Sequence, residues 1–228
     1  MKTLVKSAAL AVLATTAAMP VMTAPAVAQV NGMATADIVA AVIRSQAFQT
    51  GYQQVNTQYQ TQLTTINQRQ QQRQQLVQSF DTNGDGQLDQ TEQAVTQDAS
   101  NTTVQQIQAI DREIAQLQRP IELARLYVLQ QVAQQYQPSL QAVISANNIQ
   151  FVIAPDAVVY NAPAADVTAA VTDQINTRLP AAAITPPADF QPTEALVGLY
   201  QQVQQILVLS AMQQQAQQQQ AQPAETGR

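Results

Sequence analysis

"DTNGDGQLDQTE", residues 81–92, reads as the point where this chain reverses direction. It gathers the carboxylates Asp81, Asp85, Asp89 and Glu92 with Gly84 and Gly86, in a chain of 228 residues that is only 11% charged. Glutamine-rich sequence with apolar residues at helical spacing lies on both sides. Upstream, Phe48, Tyr52, Val55, Tyr59, Leu63 and Ile66 recur at steps of three and four, and the seam passes Gln70 and Arg73 to reach Val77 and Phe80. This heptad-like pattern covers about 33 residues, or roughly 50 Å of helix. Downstream, a second seam runs through Val104, Ile107, Ile110, Ile114, Leu117 and Ile121, then Val128, Val132 and Tyr136. Glutamine is a good helix former, so the periodicity argues for helix over a disordered glutamine tract. Two seams joined by a turn predict an antiparallel helical hairpin, with arm helices over about 45–80 and 104–147. Pro120 predicts a kink or a helix restart, and Pro138 the same nearer the end, because proline removes a backbone donor and crowds the preceding turn.

At the tip, the loop fits the spacing of an EF-hand. Asp81, Asn83 and Asp85 stand at positions 1, 3 and 5, and Gly86 permits the sharp turn. Gln87 offers its backbone carbonyl, Asp89 can act through a water, and Glu92 can bind through both oxygens. Leu88 supplies the apolar residue that steadies such loops. Six to eight hard oxygens suit Ca2+ better than Mg2+, which prefers a smaller octahedral shell. The plain alternative is an acidic, glycine-containing turn with no ion. A single loop without a partner predicts weak affinity, ~10⁻⁴–10⁻³ M, and a structural role in stiffening the tip.

Outward from the hairpin, residues 32–36 predict a short strand, with Asp37 capping a helical segment. Ile149–Ala154 and Ala157–Tyr160 predict two further strands split by Pro155-Asp156, giving a small β base over 32–36 and 149–161. Asp166 is expected to cap the next helix, "DVTAAVTDQINTRL". A Pro-containing linker covers 180–193. An amphipathic helix and Gln-rich tail fill 194–228, with Leu196, Leu199, Val203, Ile206, Leu207 and Leu209 on the apolar side. The end, "QQQAQQQQAQPAETGR", reads as low-complexity and disordered. The tail helix either packs on the body or serves as an added interaction element, and packing is favoured because an exposed stripe invites aggregation.

Residues 1–28 read as a secretory signal: Lys2 and Lys6, an apolar stretch, then Ala26-Val27-Ala28 before Gln29. No second stretch is long and apolar enough to span a bilayer, which predicts a soluble mature protein. Lys2 and Lys6 are the only lysines, so beyond residue 28 eight arginines face 15 acidic residues, a net charge of −7. That argues against nucleic acid as a partner, and leaves at most peripheral contact with a membrane surface. The chain has no cysteine and no histidine, which removes a disulfide framework, the usual zinc sites and His-activated nucleophiles. No phosphate-binding loop or nucleophile elbow occurs, so no enzyme is expected.

The order of signal, short strand, long helix out, long helix back, strands and capped helix resembles the Skp/OmpH family of periplasmic chaperones. The resemblance rests on "SQAF" at residues 45–48 and on "IQFVIAPDAVVYNAPAADVTAAV" at 149–171, and covers roughly Gly32 to Leu179. It implies a mainly α fold with a small β body (α+β), with the family-like domain over 29–179. It also implies a homotrimer in which three arms enclose a cavity for unfolded outer-membrane proteins. Short strands that cannot bury a sheet alone make such pairing physically reasonable. Familiar members are strongly basic, whereas this chain is acidic. Arg69 and Arg73, four apart, offer either a small basic patch or an ordinary solvated helix face. The leading expectation is a periplasmic holdase with a structural Ca2+ site at the arm tip. The alternative is a calcium-binding coiled-coil adaptor or spacer of the envelope.

Overall fold

The computed structural model describes residues 32–221, with side chains to 218. The expected signal segment and cleavage site, and the final residues of the tail, lie outside the described residues. The elements run β1 (Met33–Thr35), α1 (Ile38–Arg44), α2 (Gln46–Gln58), α3 (Gln60–Gln78), α4 (Gln90–Gln97), α5 (Thr102–Asn147), β2 (Phe151–Ile153), α6 (Thr168–Arg178) and α7 (Glu194–Ala221).

Each break in the outgoing arm has a local cause. Asp37 caps α1 by accepting from Ala40 N at 2.9 Å. Ser45 closes α1 and opens α2: its Oγ donates to Val42 O at 2.7 Å and accepts from Phe48 N at 3.3 Å. One of the unpaired amides of α2, Gln46 N, is satisfied from α6 by Asn176 Oδ1 at 2.8 Å. The next joint is Tyr59, at φ −102° and ψ 20°, outside helical geometry. The outgoing arm is therefore α2 and α3 in series.

The return arm, α5, is one helix of 46 residues. Pro120 and Pro138 lie inside it, and of the two expected alternatives, a kink or a restart, the helix does not restart at either. From Ile121 to Val143 its side chains are buried on nearly every face, under α2, α6 and α7. Around Pro138, packing of that density outweighs the backbone bond that the proline removes, while Pro120 is exposed one residue before the packed stretch begins at Ile121. Nearer the tip only Val104, Ile110 and Ile114 are buried, the narrow stripe of a two-helix seam. The helix ends at Asn148, which adopts left-handed φ 53°, ψ 38°, while Ile149 N reaches back to Ile144 O at 3.1 Å.

The base is smaller than expected. β1 pairs in parallel with β2 in the register Met33↔Phe151, Ala34↔Val152, Thr35↔Ile153. On its other side Thr35 bridges Asp166, with Val167 N donating to Thr35 O at 2.9 Å. The strand expected at Ala157–Tyr160 does not form. Pro155–Ala157 makes a 3-10 turn closed by Val158 N on Pro155 O at 3.2 Å, which carries Val159 and Tyr160 off the ladder. Helix α6 starts two residues after Asp166, whose carboxylate accepts from Thr168 N at 2.9 Å. The Gln-rich tail expected to be disordered continues as helix to Ala221.

Candidate functional site

Three surfaces of the fold are candidates for function. The first is the arm wall. Along α3 only Ile66 is buried, Leu63, Leu76 and Val77 are half-buried, and the outer faces present mostly glutamine, threonine and arginine. The two arginines singled out from sequence do not form a free basic patch. Arg73 Nε donates to Asp111 Oδ1 at 2.7 Å, and Arg69 Nε lies 2.9 Å from Glu113 Oε2, an ion pair out of line for a hydrogen bond. Both pairs cross from α3 to α5 and are about half exposed, so they add alignment more than stability. The sequence carried a signal for the first pair: Arg73 stands seven residues before Phe80, and Asp111 seven after Val104.

The second surface is the tip. Among the described residues no three acidic side chains converge as a group that could hold a metal ion. The loop carboxylates instead close turns on backbone amides. Asp81 accepts from Gly84 N and Gly86 N at 2.7 and 2.8 Å, Asn83 from Asp85 N at 2.9 Å, and Asp85 from Gln87 N at 2.8 Å. Gly84 and Gly86 take φ of +73° and +80°, which only glycine adopts without strain. Asp89 and Glu92, read from sequence as loop positions 9 and 12, make a reciprocal capping box that starts α4. Aspartate followed three residues later by glutamate is itself a helix-start signal. The same two residues complete the metal-loop spacing, so one stretch of sequence carries both signals.

Glu92 is buried, at 5% exposure. Its Oε1 accepts from Thr82 Oγ1 and Thr82 N, both at 2.7 Å, and its Oε2 from Asp89 N at 3.1 Å. The Thr82 hydroxyl, then the Asp89 and Thr82 amides, hold its pKa below the ordinary glutamate value. The donor set fits Ca2+ in kind: carboxylates of Asp81, Asp85, Asp89 and Glu92, the amide oxygen of Asn83 and the carbonyl of Gln87. Both Asp81 oxygens and Glu92 Oε2 accept one bond each and keep a second lone pair, whereas Glu92 Oε1 and Asp89 Oδ1 each already accept two or more.

The third surface is the base. β1 is occupied on both edges, whereas β2 has β1 on one side and no strand on the other among the described residues. One group of exposed apolar side chains lies here, with Phe151 64% and Tyr160 83% exposed beside Met33, Val152 and Val159; a second group, Val208, Leu209 and Met212, lies on α7. An apolar cavity of about 230 Å3 opens between Met33, Ile153, Val158, Tyr160 and Ala165. An unpaired strand edge beside exposed aromatic side chains is the arrangement that accepts another polypeptide.

A small parallel sheet from which a long helical hairpin projects defines a mainly helical α+β protein of arm-and-base type. The sequence model of the family described as outer membrane protein (OmpH-like) matches residues 32–175, and the chain belongs to that family. It is also similar to a crystal structure of a candidate outer membrane chaperone (OmpH-like) from Caulobacter crescentus CB15. The two are 19% identical, with 70% of this chain and 93% of that chain covered and a TM-score of 0.39. No curated protein matches the chain. No helix among the described residues is long and apolar enough to cross a membrane.

Proposed function

We propose that this protein is a periplasmic holdase chaperone that keeps unfolded outer-membrane proteins from aggregating, as a homotrimer whose arms enclose the client. Membership of the OmpH-like family supports the chaperone role and the compartment. The observation that carries the assembly is the open edge of β2 with Phe151, Val152 and Tyr160 exposed beside it. Pairing of bases between copies would cover that edge and leave the arms free. The arms would act by many weak polar contacts, because Arg69 and Arg73 are already committed to acidic partners.

The test uses the chain from Gln29 onward and an unfolded outer-membrane β-barrel protein diluted from denaturant. Light scattering should stay low at one trimer per client. It should change little between low and physiological salt, where exposed charges are screened over about 8–10 Å. A monomer by sedimentation at micromolar concentration, or unrestrained aggregation, overturns this reading.

At the tip, Asp81, Asn83, Asp85, Gln87, Asp89 and Glu92 would hold a Ca2+ ion of weak affinity, and the ion would supply positive charge among four carboxylates. Support comes from the spacing and the all-oxygen donor set. Calorimetry should show heat with millimolar Ca2+ in the wild type and little with Glu92→Gln. The absence of heat in the wild type removes the ion and leaves a polar turn.

The acidic charge and the tip loop favour a second reading, a calcium-binding adaptor or spacer of the envelope. A stable oligomer that binds Ca2+ but leaves client aggregation unchanged would establish that reading in place of the first.

A further inference from the structure

We propose that residues 180–207, which lie beyond the family-matched region, form a strap that locks α2 onto α5 and makes Tyr59 the fulcrum of the arm. The strap grips α5 first. The Gln131 side chain pairs both ways with the backbone of Ala183: Nε2 donates to Ala183 O at 2.8 Å, and Oε1 accepts from Ala183 N at 3.0 Å. One turn earlier on the same stripe, Tyr127 meets Phe190 edge-on, with ring centroids 5.2 Å apart. Between these two anchors Ile184 crosses to α2 and lines a groove with Thr50, Gln54 and Thr57.

Helix α7 then completes the clamp. Leu196 and Val203 are buried, Val203 completely. Tyr200 from α7 stands with Tyr52 from α2 and Arg125 from α5. Arg125 lies 6.0 Å above the Tyr52 ring and donates to Asn56 of α2 at 2.9 Å. The clamp therefore binds α2 and α5 together from both sides of the strap's path.

These contacts fall on the tip-distal side of Tyr59. Below it, Ala47, Phe48, Gly51 and Val55 of α2 are buried, and above it Ile66 is the single buried residue of α3. A joint with non-helical dihedrals stands between a clamped segment and a lightly packed one. Bending is confined to the joint as long as the strap is seated. The proposal concerns arm motion alone and does not depend on what the arms hold.

Hydrogen exchange on the full chain tests it, with Gln131→Leu to remove both amide bonds and Val203→Asp to drive α7 off by placing an unpaired charge at a fully buried position. In the wild type, amides of α2 should be protected well above those of α3. Both variants should lower protection across α2, on the order of tenfold or more for Val203→Asp, toward the level of α3. β1 and α6 should keep theirs. Unchanged α2 protection when α7 has lost its own makes the strap a passenger. Loss in β1 and α6 together with α2 makes it part of the core. Either result overturns the proposal.

Discussion

Gly51 of α2 lies so close to Val128 of α5 that a Cβ on it would come within 2.8 Å of Val128 Cγ1. Val128 is fully buried, and its branched side chain has no room to withdraw. Alanine would normally stabilise a helix interior by about 1 kcal/mol over glycine. Here the overlap should win, and Gly51→Ala should cost a net ~1 kcal/mol in denaturant unfolding. Gly198 in α7 has nothing within 4 Å of its notional Cβ, so Gly198→Ala should gain roughly 0.5–1 kcal/mol. Equal responses at the two sites would mean that the arm base is not tightly packed.

The bond from Arg73 to Asp111 should act as a ruler more than a brace. Its side chains are 45% and 46% exposed. A double-mutant cycle with Arg73→Ala and Asp111→Ala should return about 0.2–1 kcal/mol, falling as salt rises. A coupling above that range, or one indifferent to salt, contradicts an exposed pair.

Glu92 should make the tip acid-labile. Its folded-state pKa is depressed below the ordinary 4.5, so its contribution is present above pH 4.5 and lost as pH falls through the folded value. Protease cutting between Phe80 and Val104 should rise over that window. Thr82→Val removes the strongest donor and should move the Glu92 carboxyl titration, followed by NMR, back toward 4.5. An unmoved titration means the hydroxyl bond is not made in solution.

Tyr52 sets the alkaline limit of the clamp. Burial first, then proximity to Tyr200, pushes its pKa far above the ordinary 10.0, while Arg125 pulls the other way. A raised folded pKa means the contribution is complete below pH 10 and declines as pH climbs toward the folded value. Its Oη has no hydrogen-bond partner, because the Gln204 amide stands nearby without completing a bond. Tyr52→Phe should therefore leave stability at pH 8 unchanged or raise it by up to ~1 kcal/mol, and should reduce the loss above pH 10. A large loss at pH 8 would show that the hydroxyl is satisfied.

The apolar seams were legible in the sequence because burial along a two-helix arm depends on spacing alone. Phe48, Val55 and Ile66 on one side, and Val104, Ile110, Ile114, Ile121, Val128, Val132 and Tyr136 on the other, are all buried. Asp37 announced its helix start because capping is a contact across three or four residues. The end of the outgoing arm before Asp81 was readable for the same local reason, whereas helix α4 (Gln90–Gln97), which lengthens the reversal to Thr102, was not expected. What lay beyond the sequence is what depends on distant partners. β1 pairs with β2 across the whole hairpin, and no local pattern reports a parallel register. Pro138 stays helical among neighbours that meet only in the folded state, with Tyr136, Ser139 and Leu140 buried around it. Val158 to Tyr160 had strand-like composition, but the 3-10 turn at Pro155–Ala157 carries them off the ladder. The sequence by itself thus determined which faces of the arm must be apolar and where it must turn. Only the tertiary structure decided which elements sit side by side at the base, because that choice is made by packing between residues far apart in the chain.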